Sequence, residues 1–351
     1  MDRTKHVIIV VIVIVFSLFT INSYFAIKYL RALGKSRWPE GAIRTNATTG
    51  YNMSPSFSST MLDKSFSICS HELGYRIPMF ANNSSIEQGG ILSVGCSFTY
   101  GDRVEAEQTF TYLTAEKLHM PSYNYGVCSY SYASVILQLN ELRQREILDK
   151  LKPKILILGA GNWLVKRSLI PFFPTSNDSM HVYSYITKMG GRIQVSKPPK
   201  IHRIKYHPVL YEDYSMNKRR NIILVFKRFY YMSCIVPGIL YVKVIKKKYD
   251  KKEIINSFEL YDFVIAEINK IIQDYGMKFI ILWMPYNEED LLDKRLKRAV
   301  EKHKDIILVN GFDAIRKYNV ASEEYVNTHP GFQAHDAYAK EIILRVMNNG
   351  N

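Results

Sequence analysis

Four short apolar runs constrain the fold of this chain more than any other feature. They are ILSV at 91–94, KILILG at 154–159, KFIILWM at 278–284 and DIILV at 305–309. None alternates with polar residues, so each reads as a strand buried on both faces. Tyr123–Gly126 is a fifth, shorter candidate. Helical patterns lie between the runs. They cover 107–119, 131–148 (with Val135, Leu139 and Leu142 on one face), 255–275, a charged stretch at 287–303 and a last helix from about Ala334 to Met347. Strands alternating with helices predict an α/β fold, a parallel sheet covered on both sides. Such sheets bind ligands at the carboxyl ends of their strands.

The N-terminus carries a second constraint. Residues 7–27 hold no charge, and at about 1.5 Å per residue a helix there reaches roughly 31 Å, the thickness of a bilayer's hydrocarbon core. An uncleaved single-pass membrane anchor is expected over residues 1–37. A cleaved signal peptide is the rival, but the run is long and no A-x-A site follows. The orientation cues conflict. Lys28, Arg31, Lys35 and Arg37 after the span favour a cytoplasmic domain, whereas a very short basic tail before it favours export. The expectation adopted is an extracytoplasmic domain. Residues 38–89, rich in Ser, Asn and Thr with Pro39, Pro55 and Pro78, read as a stalk and lead-in.

Residues 90–350 then form the main domain, broken by an insertion at 165–254. That insertion has 19 Lys/Arg against five Asp/Glu, nearly the whole excess of a chain whose net charge is +15. It reads as a basic-faced subdomain packed on the core, or as a surface for an anionic polymer or lipid. The four cysteines, at 69, 96, 128 and 234, form no CxxC pair and no zinc spacing, so no metal or cofactor is expected. Cys96 and Cys128 each follow a strand end, as free buried thiols or as a disulfide.

Chemistry concentrates at the strand ends. Gly95-Cys96-Ser97-Phe98-Thr99-Tyr100-Gly101 follows the first apolar run directly, where a serine hydroxyl can face a cleft. Asn124-Tyr125-Gly126 ends the second strand and Gly159-Ala160-Gly161-Asn162 the third, on the same sheet edge. Asn162 can donate amide hydrogens to an oxyanion, or simply cap a helix. A serine nucleophile needs a base within hydrogen-bond reach. His329, in Asn327-Thr328-His329-Pro330 on a loop before the last helix, is the best placed of nine histidines.

These blocks in this order, GCSFTYG, NYG, GAGN and HPGFQAH, resemble the SGNH/GDSL-type hydrolases, and Leu73-Gly74-Tyr75-Arg76 resembles the GxR lead-in of many bacterial members. The resemblance implies a flavodoxin-like three-layer sandwich with a five-stranded parallel sheet. It implies Ser97 as nucleophile and His329 as base. The oxyanion donors it implies are Ser97 N–H, Gly126 and Asn162. Two departures stand out. GDS is GCS here, and the aspartate two or three residues before the histidine is replaced by Asn327 and Val326. Asn327 then becomes the candidate orienter of the imidazole, with Glu323, Glu324 and Asp336 as nearby carboxylates. The function expected is a membrane-anchored serine esterase or O-acyltransferase acting on an acylated carbohydrate or lipid. The alternative is an inactive binding or assembly protein for surface polysaccharide. Nucleic acid is not an expected partner.

Overall fold

The computed structural model describes residues 41–348 together with Val13, Phe16, Ser17, Thr20 and Pro39, apart from 62–64, 82–85, 170–171, 175–179, 183, 198–254, 288–290, 304 and 327. Two antiparallel hairpins come first. They are β1 (Ile43–Asn46) with β2 (Gly50–Met53), and β3 (Ser58–Thr60) with β4 (Ser67–Cys69). This corrects the stalk expected over 38–89. Tyr51, Met53, Met61, Phe66 and Ile68 are buried in the core. Burial of each such side chain stabilises by about 1.5–3 kcal/mol, which a polar-rich composition did not reveal. Hydrogen bonds tie the first hairpin down. Tyr51 donates its hydroxyl to the Cys128 carbonyl at 2.9 Å, and Tyr130 donates to the Tyr51 carbonyl at 2.7 Å.

The apolar runs become strands β5 (Ile91–Val94), β7 (Ile155–Ala160), β12 (Lys278–Trp283) and β13 (Ile306–Asn310), with β6 (Ser122–Asn124) beside β5. Every residue of β5 and β7 is buried, as continuous apolar runs require. The sheet order is β13-β12-β7-β5-β6, and all four pairings are parallel. Numbered among themselves the five strands run 2-1-3-4-5, the flavodoxin-like order. The strand order reverses between β5 and β7, and beyond the carboxyl ends at such a switch point open α/β sheets bind their ligands.

Helices α1 (Ser97–Tyr100), α2 (Phe110–Lys117), α3 (Tyr132–Gln144), α4 (Ile147–Leu151), α5 (Asn162–Leu169), α6 (Ser257–Tyr275), α7 (Lys294–Glu301), α8 (Gly311–Lys317) and α9 (Phe332–Asn348) complete the domain. They pack in two groups, α2 with α8 and α9, and α3 with α5, α6 and α7, giving three layers with the sheet. The single helix expected at 131–148 is two helices, because Glu146 takes a left-handed φ of 56° between them. The charged helix expected at 287–303 is confined to α7, whose N-cap Asp293 accepts the Arg295 N–H at 2.9 Å.

Within the insertion, β8 (Phe172–Pro174) pairs with β9 (Met180–Val182), and β10 (Tyr185–Met189) with β11 (Arg192–Ser196). The second hairpin packs on α3 and α5. Ile186 is buried, Ser131 donates to the Ser184 carbonyl at 3.0 Å, and Lys188 pairs with Glu259 of α6 at 3.0 Å. The most basic part, 198–254, lies outside the described residues. So does the apolar stretch 7–27 except for Val13, Phe16, Ser17 and Thr20, which are helical, with Val13 and Phe16 exposed. Among the described residues no helix is long and apolar enough to cross a membrane.

Candidate active site

The chain leaves β5 through Gly95 and Cys96 and turns at once into α1, so Ser97 is a first-turn residue at the sheet's carboxyl edge. The turn is tight for a packing reason. A Cβ on Gly95 would lie 2.1 Å from Thr99 Oγ1, and one on Gly159 would lie 2.0 Å from the same atom. The two glycines that end neighbouring strands thus open the slot filled by Thr99. Cys96 is fully buried and accepts the Trp163 indole N–H at 3.3 Å. A carboxylate under that ring would be desolvated, which suits a thiol at the second position of GCS.

His329 Nε2 stands 2.9 Å from Ser97 Oγ, across 232 residues of sequence. The ring packs edge-on against Phe98 at 5.2 Å between centroids. Its loop is held by two devices that sequence reasoning missed. Arg103 donates Nη1 to the carbonyls of Glu323 at 3.0 Å and His329 at 3.4 Å. Glu324 accepts the Gln333 N–H at 3.1 Å, capping the start of α9, and its carbonyl accepts the Gly331 N–H at 2.8 Å. Glu324 is therefore engaged in the helix cap, and Asp336 pairs with Lys340 at 2.7 Å. Glu323 is exposed, its carbonyl held by Arg103. Asn327 lies outside the described residues.

Among the described residues, the carboxylate that reaches the pair comes instead from the loop that carries Ser97. Asp102 Oδ2 is 3.7 Å from His329 Nε2, and the residue is 8% exposed. Only the expectation that the carboxylate precedes the histidine kept Asp102, next after GCSFTYG, from being singled out.

The oxyanion residues fare unequally. Asn162 opens α5 directly beyond β7, the strand beside β5. Ser97 N–H is one of the helix-start donors that find no partner within their own helix. Gly126 needs correction, because its N–H donates to Asn124 Oδ1 at 2.9 Å. Asn124 Nδ2 in turn donates to the Thr99 carbonyl at 2.8 Å. A Cβ at Gly126 would meet Tyr100 N at 2.3 Å, so glycine is required there for close packing on α1.

Beneath the loop lies Arg76, almost wholly buried. It donates to the carbonyls of Tyr100 at 2.6 Å, Gly101 at 2.9 Å, Val104 at 2.6 Å and Ser67 at 3.2 Å, and stacks 4.5 Å over the Tyr100 ring. The GxR lead-in is thus a clamp on the loop that carries Ser97. Cys69, Cys96 and Cys128 are free thiols. Burial pushes the Cys128 thiol well up, and the charge of Asp102 adds to this, so it stays protonated.

His335, the second histidine of HPGFQAH, is structural. It is fully buried in α9, stacks on Phe110 at 5.7 Å and accepts the Phe110 N–H at 3.2 Å. Burial, followed by the nearby positive charge of Arg76, lowers its pKa from 6.5 to about 3. Between those values the unfolded chain binds the proton and the folded one does not. Stability is therefore full above pH 6.5 and falls as pH drops toward 3, by up to about 1.4 kcal/mol per pH unit from this group. Urea midpoints measured across that range should decline steeply in the wild type and less steeply in His335→Gln.

Comparison with models of known protein families gives no match, and comparison with curated proteins gives none. Among solved structures, the chain is similar to a protein described as lipolytic and of the G-D-S-L family from Desulfitobacterium hafniense DCB-2, at 10% identity and a TM-score of 0.34, covering 74% of this chain and 99% of that one. It is also similar to LAE5, an alpha/beta hydrolase enzyme from the metagenome of Lake Arreo, Spain, at 12% identity and a TM-score of 0.36, covering 75% and 97%. Likenesses this distant carry no statement about activity, which must rest on the residues of the site itself.

Proposed function

We propose that this chain is a serine esterase or O-acyltransferase of the SGNH type, working through an acyl-enzyme on Ser97. The observation that carries the reading is the 2.9 Å contact of His329 Nε2 with Ser97 Oγ at the sheet's carboxyl edge. With its proton on Nδ1, the imidazole accepts the serine proton at Nε2 as Oγ attacks an ester carbonyl. Ser97 N–H and Asn162 receive the oxyanion. The imidazolium then returns the proton from Nε2 to the departing alcohol. Water or a sugar hydroxyl attacks the acyl-serine by the same steps in reverse.

An aromatic cluster supports the substrate class. Phe98, Trp163 and the partly exposed Tyr286 form an aromatic cluster beside His329, with centroids 4.4, 6.0 and 6.2 Å apart. Such a wall suits a sugar ring or an acyl chain, which supports an acylated carbohydrate or lipid as substrate. The uncharged stretch at 7–27 supports membrane attachment, and the very short basic tail before it supports an extracytoplasmic active domain. The basic insertion supports contact with an anionic polymer or headgroup.

Reaction of the full chain with a fluorophosphonate probe tests the chemistry. Covalent labelling is expected, and an inert protein would favour the alternative, a binding or assembly protein for surface polysaccharide. Attachment is tested separately. The full chain should stay with membranes through carbonate extraction, and a version starting at residue 38 should be released by high salt. A full chain recovered in the soluble fraction would sink the anchor.

A further inference from the structure

We propose that Asp102 is a catalytic carboxylate that stabilises the protonated His329 ring from the nucleophile's side. The inference rests on the Ser97–His329 chemistry proposed above and adds a residue to it. His329 Nε2 faces two oxygens, Ser97 Oγ at 2.9 Å and Asp102 Oδ2 at 3.7 Å. The proton that leaves Ser97 therefore arrives on a nitrogen already beside a carboxylate. The proton stays on the ring until the leaving alcohol takes it, and Asp102 remains ionised throughout. Its part is to favour the charged ring that exists only after the serine proton has moved.

Three features make this carboxylate a fixed part of the site. Asp102 follows Gly101, the left-handed C-cap of α1, and its own N–H donates to the Ser97 carbonyl at 3.1 Å. The carbonyls of Tyr100, Gly101 and Val104 on either side of it are clamped by buried Arg76. Arg103, the next residue, donates to the His329 carbonyl at 3.4 Å, so carboxylate and imidazole cannot drift apart independently. The placement also answers the missing aspartate. A chain with Asn327 and Val326 before its histidine still brings a negative charge to the ring, from the other side.

The charged groups around the ring decide the sign of the expected effect. Arg103 lies on the nucleophile loop, and neutral His335 on α9, with Arg76 behind it. Glu324, in the histidine's own loop, is committed to the cap of α9. Asp102 is thus the anion next to Nε2, and it holds the imidazolium form up. Removing it should lower the pH at which His329 loses its proton.

The test uses the full chain in detergent, as wild type, Asp102→Asn and Asp102→Glu. Fluorophosphonate labelling rates are followed against pH, and His329 is titrated by NMR with isotope-labelled histidine, its signal assigned by loss in His329→Gln. In Asp102→Asn the acid limb of labelling and the NMR midpoint should both move down by about one pH unit. The plateau rate should fall roughly tenfold to a hundredfold, with partial recovery in Asp102→Glu. A labelled wild type whose acid limb and midpoint are unmoved in Asp102→Asn would overturn this inference alone, even if the rate falls, since a merely structural role moves neither. A wild type that is not labelled at all would overturn the esterase reading and the catalytic role of Asp102 with it.

Discussion

Ser97→Ala should abolish both fluorophosphonate labelling and hydrolysis of p-nitrophenyl acetate, and His329→Ala should lower turnover by about three to six orders of magnitude. The two losses differ in kind. Without Oγ no acyl-enzyme can form, so only background hydrolysis remains. Without the imidazole the hydroxyl is still present but must lose its proton to water. Because nucleophile and base act as one unit, the double variant should be no worse than Ser97→Ala alone. Neither change should disturb folding. Ser97 projects from a short helix anchored by Thr99 and Tyr100, and the His329 loop is held through backbone carbonyls by Arg103. Circular dichroism and urea midpoints should match the wild type. Equal turnover in wild type and both variants would end the esterase reading.

The second large effect falls on Arg76. Arg76→Met should destabilise the protein by about 2–4 kcal/mol, read as a lower urea midpoint. Four carbonyls lose a charged donor, and three of them, at Tyr100, Gly101 and Val104, belong to the loop that carries Ser97 and Asp102. Gly101 keeps the Arg103 N–H at 2.8 Å and Tyr100 the longer Asn124 amide contact at 3.4 Å, so the loss is heaviest at Val104. Against this stands the desolvation of a buried guanidinium, which no carboxylate among the described residues pairs with within 4.0 Å, and which methionine removes. The loss at the carbonyls outweighs that relief, since a hydrogen bond from a charged donor contributes about 1.5–3 kcal/mol and four are lost together. Arg76→Lys should rescue little, because an ammonium cannot span the fork from Val104 to Tyr100. A midpoint unchanged in Arg76→Met would show that the clamp contributes nothing net. With total stabilities commonly about 5–15 kcal/mol, the expected loss is a large share of the whole.

Much of this was legible in sequence where one principle acted alone. ILSV, KILILG, KFIILWM and DIILV became strands because an unbroken apolar run has few other uses in a chain that alternates with helices. Ser97 and His329 were found from their places at strand and loop ends. What stayed hidden depended on partners distant in sequence. Nothing in the polar stretch 38–89 announces that Tyr51, Phe66 and Ile68 pack into the core, because a short half-buried strand is hard to tell from a loop. Gly126 resembled an oxyanion donor until Asn124, two residues earlier, was seen to occupy its N–H. Asp102 and Arg103 sit just past GCSFTYG with no sequence mark of their own, and their contacts with His329 appear only once a loop more than two hundred residues away is brought against them.

That separation has a consequence for how the protein fails. The proposed base, His329, rides on the loop before α9, and α9 is docked on α2 and α8 by side-chain packing, without a strand in the sheet. A helix attached in this way can open while the sheet persists, as one of the partial unfolding steps that proteins sample below the global transition. Each such excursion carries His329 away from Ser97 and, on the function proposed above, extinguishes the chemistry while most of the core remains ordered. Catalytic competence is then a gauge of C-terminal docking, and a population of molecules can be folded by every bulk criterion yet fractionally silent.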